Sequence, residues 1–225
     1  SFLKPFREKK SGAKVGVLLS DSTSPTRKAL LADLAKAAPG IRYFTYEALA
    51  PVGAKAAAAA LYGPGVLPVV NLSGADRILS LDCDFLGNEP VGEDSNAEFS
   101  APRATDRAGG MGRFYVVEPA FTETGGMADH RYRVPASQIL PVAALVAKEL
   151  GTLLGDAALT SLADAVASRL VPAVYNLTWI KECAADLAAS KGKAVLVAGP
   201  RHGAEVHYLV AAANKALNKG SISRV

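Results

Sequence analysis

The residues best suited to chemistry gather in one stretch, LSLDCDFLGNEPVGE, residues 79–93. Asp82 and Asp84 flank Cys83, Gly87 follows, and Glu93 stands eleven positions after Asp82. Three readings compete. A calcium loop wants carboxylates at its first and third positions, glycine at the sixth and an acid at the twelfth, and Asp82, Asp84, Gly87 and Glu93 supply these. Against it, Leu86 occupies the fifth position, and RILSL reads as a buried strand where an entering helix is required. A general acid/base pair is the second reading. Two carboxylates two residues apart share a side if the strand continues, and the C-terminal edge of a parallel sheet is where such folds bind ligands. In the third, both aspartates cap the following turn through their side-chain oxygens.

Other chemistry has thinner support. AGPRHGAEVH places Gly199 and Gly203 in a strand-to-helix turn, but the spacing is not that of a dinucleotide fingerprint. Glycine there permits a tight turn, and the helix N-terminus is a potential anion site whatever the spacing. His130, His202 and His207 form no i, i+4 pair, and no nucleophile elbow occurs. Cys83 and Cys183 are a hundred residues apart in apolar surroundings and read as buried structural thiols. Without a C-x-x-C pair this chain holds neither an ordinary iron–sulfur cluster nor a cysteine zinc site.

The elements that must position these residues follow from periodicity. KVGVLLS, IRYFTYEAL, VLPVVNL, RILSLDCDF, GRFYVVEP and KAVLVAG read as strands. Between them lie a helix opened by Ser24-Pro25, an Ala-rich helix from Pro51 to Gly63 whose small side chains suit close packing on a sheet, and helical stretches over 136–151, 157–190 (interrupted at Pro172) and 205–220, ending at Gly220. Apolar strands alternating with helices predict an α/β fold: a three-layer, mostly parallel Rossmann-like sheet flanked by helices. The expected organisation is one domain over 1–225, with sub-regions 14–151 and 152–225.

Charge narrows the function classes. The net charge is +4, but residues 1–10 and 201–224 carry +3 each, so the middle is at −2 and offers no extended nucleic-acid face. Residues 82–100 hold six acids and no base; Arg103, Arg107, Arg113, Arg131 and Arg133 follow as the cations available to fold back over them. No signal-length apolar run opens the chain and no stretch of about 18 uninterrupted apolar residues predicts a direct membrane span. A start without Met reads as a processed or excised piece of something longer.

ADRILSLDCDFLG (75–87), GRFYVVEPAFTETGGMADHRYRVPASQILPVAALVAKELG (112–151) and GKAVLVAGPRHGAEVHYLVAAANKALNKG (192–220) occur in an order that resembles the molybdopterin oxidoreductase superfamily. More narrowly the chain resembles its cofactor-less branch, the large iron–sulfur subunit of alternative complex III, a molybdopterin-oxidoreductase-like or hydrogenase-like protein. The chain departs from cofactor-binding members at three turns: Asp84-Phe85-Leu86-Gly87-Asn88 replaces G-x-N-P, Glu118-Pro119-Ala120 replaces D-P-R, and Pro135-Ala136-Ser137-Gln138 replaces P-G-T-D. Gln138 offers a guanine one carbonyl with a competing donor where the family uses a carboxylate. The resemblance thus implies a vestigial cofactor site at Asp82, Asp84, Asn88, Glu118, Gln138, Gly199 and Gly203, with no cofactor, metal or catalytic residue in this chain and iron–sulfur clusters only in a longer parent. It implies a structural and docking role among the other subunits of a membrane-bound, quinol-oxidising electron-transfer complex on the periplasmic face. Two alternatives stand beside it: a genuine molybdenum or tungsten enzyme with molybdopterin guanine dinucleotide, and a small nucleotide- or anion-binding module.

Overall fold

The computed structural model describes residues 15–22, 24–66, 68–89, 91–92, 94–169, 174–217 and 222–224. Glu93, Pro172, Gly220 and the basic residues before position 11 lie outside them. The chain divides into two compact units, the first reaching Ala50 and the second starting at Pro51.

In the first unit, β1 (Val15–Leu19) and β2 (Ile41–Thr45) pair in parallel, with Val15 opposite Ile41, and α1 (Pro25–Ala37) crosses between them. Local chemistry sets the helix start: Ser24 Oγ accepts the Arg27 N–H, and Pro25, which lacks a donor to waste, takes the first turn.

The second unit is built on a four-stranded, all-parallel sheet in the order β6-β5-β4-β7, from β4 (Arg77–Leu81), β5 (Arg113–Glu118), β6 (His130–Arg133) and β7 (Ala194–Ala198). The strand alternation divides the core in two. Leu79, Leu81, Tyr115, Val117 and Leu196 face α5 (Ile139–Leu154), α6 (Ala157–Ala167), α7 (Leu177–Ala189) and α8 (Ala204–Ala216). Ile78, Phe114, Val116, Val195 and Val197 face the 70–103 region, which contains α3 (Ser95–Ser100). There Phe85, Phe99 and Phe114 meet edge-to-face with centroids 5.0 to 5.6 Å apart. Each such pair adds about 1 kcal/mol to simple burial. The fold is therefore α/β, with parallel sheets flanked by helices, as the pattern of strands and helices implies.

Three features differ from the sequence expectations. HRYR (130–133) is the edge strand β6, which its charged composition conceals. VLPVVNL contributes only β3 (Pro68–Val70), which pairs antiparallel with β8 (Ile222–Arg224) and not within the main sheet. The Ala-rich helix α2 (Val52–Tyr62) packs on α8, where Gly53 makes room for the His202 carbonyl that any Cβ would strike.

The segment over 136–154 is long and apolar enough to cross a membrane by length and composition. Half of it is buried, with Val142, Ala143, Val146, Ala147 and Leu150 packed in the core beside α6, α7 and α8.

Candidate functional site

The polar residues of interest meet at the C-terminal ends of β4, β5 and β7. After Leu81 the chain turns at Asp82, whose φ of 49° is the one left-handed value among described non-glycine residues. This conformation costs about 1 kcal/mol, less for Asp than for most residues. It ends the strand, so Asp82 and Asp84 do not share a side. The Asp82 N–H still reaches the Val117 carbonyl at 2.7 Å, and the Gly199 N–H reaches that of Leu81 at 3.0 Å. Gly199 is required because a Cβ there would overlap the Asp82 carbonyl oxygen.

Each acid at this edge has a partner within the chain. Buried Asp82 lies 2.9 Å from Nε2 of His202, itself only 10% exposed, in the turn before α8. Asp84 accepts from the N–H and hydroxyl of Thr124 (3.2 and 2.8 Å) and from the backbone of Asn88. Burial opposes the charge on Asp84, but these donors prevail and hold its carboxyl below the usual range. Gly87 leaves space for that carboxylate, which a Cβ would strike. Glu89 accepts the Asp84 N–H at 2.9 Å and pairs with Arg201 at 2.6 Å. Beyond it, Asp94 caps α3 and Glu98 takes the Leu72 N–H at 2.8 Å.

On β5, buried Glu118 pairs with Arg131 at 2.5 Å and accepts the Thr122 hydroxyl at 2.7 Å. Gly125, in the short helix α4 (Glu123–Gly126), is the small residue that admits its carboxylate. Arg131, one of the cations available to residues 82–100, is taken up by Glu118 and the Ala120 carbonyl. Arg103, Arg107 and Arg113 instead pair with Asp129, Asp76 and Asp186 at the opposite ends of the strands.

The calcium reading does not match this geometry. Asp82 and Asp84 carry their carboxylates to His202 and Thr124, and no group of three His, Cys, Asp or Glu among the described residues is placed to hold a metal. Gln138 ends a single 3-10 turn before α5 and makes no side-chain capping bond; Asn88 is exposed; Gly203 precedes α8 in extended conformation, so left-handed strain does not require a glycine there. Cys83 and Cys183 are buried free thiols, and burial pushes both upward in pKa, reinforced at Cys83 by Glu89, Asp84 and Asp82. Neither is an activated nucleophile.

Sequence reasoning missed the Asp82–His202 and Glu89–Arg201 pairs, which span 120 and 112 residues. The usable signal was the coincidence of two strand-end turns, 82–89 and 199–203, on adjacent parallel strands. It also missed His207, which lines a cavity beside these turns with Cys83, Glu89 and Asn214.

No protein family matches the chain, and no curated protein does. A solved structure does: the formyltransferase/hydrolase complex from Methylorubrum extorquens in complex with methylofuran, at a TM-score of 0.51 and 17% identity. The match covers 91% of this chain and 50% of that one, so the chain spans about half the length of its structural neighbour. At that identity the likeness establishes the fold. It corrects the resemblance to molybdopterin oxidoreductases and to the iron–sulfur subunit of alternative complex III, and with it the electron-transfer role: the neighbour is a formyltransferase/hydrolase. The physical reason is that apolar strands, tight turns and Ala-rich helices are demanded by any sheet covered on both faces. Similar strings therefore report the layer architecture and not the chemistry. The periplasmic placement depended on the same resemblance and has no independent support.

Proposed function

We propose that this chain is an α/β scaffold module in a subunit of a multi-subunit enzyme assembly, and that one-carbon, formyl-type chemistry is the activity to test first in that assembly. The observation that carries the scaffold role is the partnering of the acids at the ligand edge. Asp82, Asp84, Glu89 and Glu118 are held by His202, Thr124, Arg201 and Arg131. A carboxylate used as base or nucleophile must reach a substrate proton or carbon, and these face inward to the chain. Such a lattice fixes the turns against one another. Protein partners fit the same reading, since the structural neighbour is part of a multi-subunit complex.

The test is purification of the full-length native protein under mild conditions, with native mass spectrometry and a formyl-transfer assay on the intact assembly. The expected result is a defined stoichiometric complex with formyl-transfer turnover that survives H202A whenever the complex forms. A free monomer with its own turnover, or an H202A complex that assembles normally and is inactive, would overturn the scaffold reading. A stable complex inactive in formyl transfer would overturn the chemical assignment alone.

A further inference from the structure

An open cleft of about 570 Å³ lies where the starts of β5 and β6 meet the first turns of α7. That volume is within the range that holds a small molecule. Its floor is aromatic. His130 lies nearly flat on Tyr115, with centroids 4.9 Å apart, because the two are register partners on neighbouring strands. Trp179 stands edge-on to Tyr115 at 5.7 Å and against Tyr132 at 5.2 Å. Asn176 caps the Trp179 backbone N–H at 3.1 Å, so the ring is held in place by the chain itself.

The chain leaves charge of both signs unbalanced at this cleft. Arg77 and Arg113 share one oxygen of Asp186, Oδ2, at 2.7 and 2.8 Å, and the same oxygen takes the Tyr115 hydroxyl at 2.9 Å. Two guanidinium groups on one carboxylate leave one positive charge in excess. Arg113 carries it to the cleft, since its side chain is 45% exposed and that of Arg77 only 21%. Glu182 also lines the cleft, four residues before Asp186 and so on the same face of α7. It is exposed, and its carboxylate makes no ion pair among the described residues.

One unspent cation, one unspent anion and an aromatic wall select the occupant. A carboxylate alone meets repulsion at Glu182, an amine alone meets it at Arg113, and an uncharged ring leaves both charges without a counterion. We propose that this cleft binds a free aromatic amino acid, its carboxylate on Arg113, its ammonium on Glu182 and its ring against His130 and Trp179. The planar guanidinium fork matches a carboxylate, and the imidazole and indole rings match a flat side chain. The cleft is at the opposite end of the sheet from the paired acids, so its failure would leave the scaffold reading untouched.

Trp179 is the chain's one tryptophan, so the ¹⁵N-labelled full chain shows a single indole N–H signal that reports a ring arriving beside it. Unlabelled L-tryptophan is expected to shift that signal with a Kd of about 1 mM or tighter. Tryptamine, which lacks the carboxylate, and indole-3-propionate, which lacks the amine, are each expected to bind about fivefold more weakly or worse. E182Q, a change at an exposed helix position, is expected to weaken tryptophan about fivefold and to erase its advantage over indole-3-propionate. R113Q is expected to erase its advantage over tryptamine, and the three ligands on the unmodified chain decide the matter should R113Q not fold. The proposal is overturned if tryptophan at about 5 mM leaves the Trp179 signal unmoved, if either analogue binds as tightly as tryptophan, or if E182Q keeps the full preference.

Discussion

The two ends of the parallel sheet balance their charges differently. At the N-terminal ends, carboxylates meet guanidinium groups. Asp186 on α7 takes Arg77 at 2.7 Å, Arg113 at 2.8 Å and the Tyr115 hydroxyl at 2.9 Å, while Asp129 takes Arg103 and the Phe114 N–H. At the C-terminal ends, among the described residues, only Glu118 and Glu89 have an arginine; Asp84 depends on a hydroxyl and backbone N–H groups, and Asp82 on a histidine. Tight glycine turns also occur there, and so does the cavity beside His207. The first end ties helix to sheet. The second fixes loops about a space, which is the arrangement expected where α/β folds keep their ligand sites.

The comparison breaks most sharply at Gly199. G199A drives a Cβ into the Asp82 carbonyl, where backbone meets backbone, and is expected to cost more than about 3 kcal/mol in urea unfolding. A loss below about 1 kcal/mol would show that the two turns are not interlocked.

D186N, at the opposite end, leaves two arginines short of a charge and is expected to cost about 2 kcal/mol. Its pH dependence sharpens the test. Burial works against the charge on Asp186, but Arg77, Tyr115 and Arg113 hold its carboxyl below the ordinary range. With the folded value below the unfolded value of about 3.9, the stabilisation is complete above that pH and is lost as pH falls through the folded value. D186N should therefore flatten the acid limb of the stability curve; an unchanged limb would remove Asp186 from the balance.

D84A deletes acceptors for Thr124 and Asn88 and is expected to cost about 1–2 kcal/mol, with faster amide exchange at Thr124 and Asn88. Exchange unchanged at both amides would mean that the 84–88 turn holds itself. Smallest is K148A, which removes the exposed Lys148–Asp164 pair and should leave the urea midpoint unmoved.

Most of the sheet was legible because burial on both faces forces continuous apolar runs, such as RILSL, FYVV and AVLVA. β6 was not, since an edge strand with Arg131 and Arg133 loses that signature. The capping reading of Asp84 was one of three open to the sequence, and the structure gives its partners as Thr124 and Asn88. Nothing in the local string distinguished Asp82 from Asp84, because the difference lies in a backbone turn at φ 49° and a histidine 120 residues away.

By itself the sequence determined the layered α/β class, the helix starts and the positions of the turns, all set by interactions within a few residues or by the apolar period. Which acids are neutralised, which face of α2 meets α8, and the cavity lined by His207 were decided only when distant strand ends were brought side by side. Long-range pairing is chosen by the shape of the folded chain, and its electrostatic consequences leave no local pattern to read.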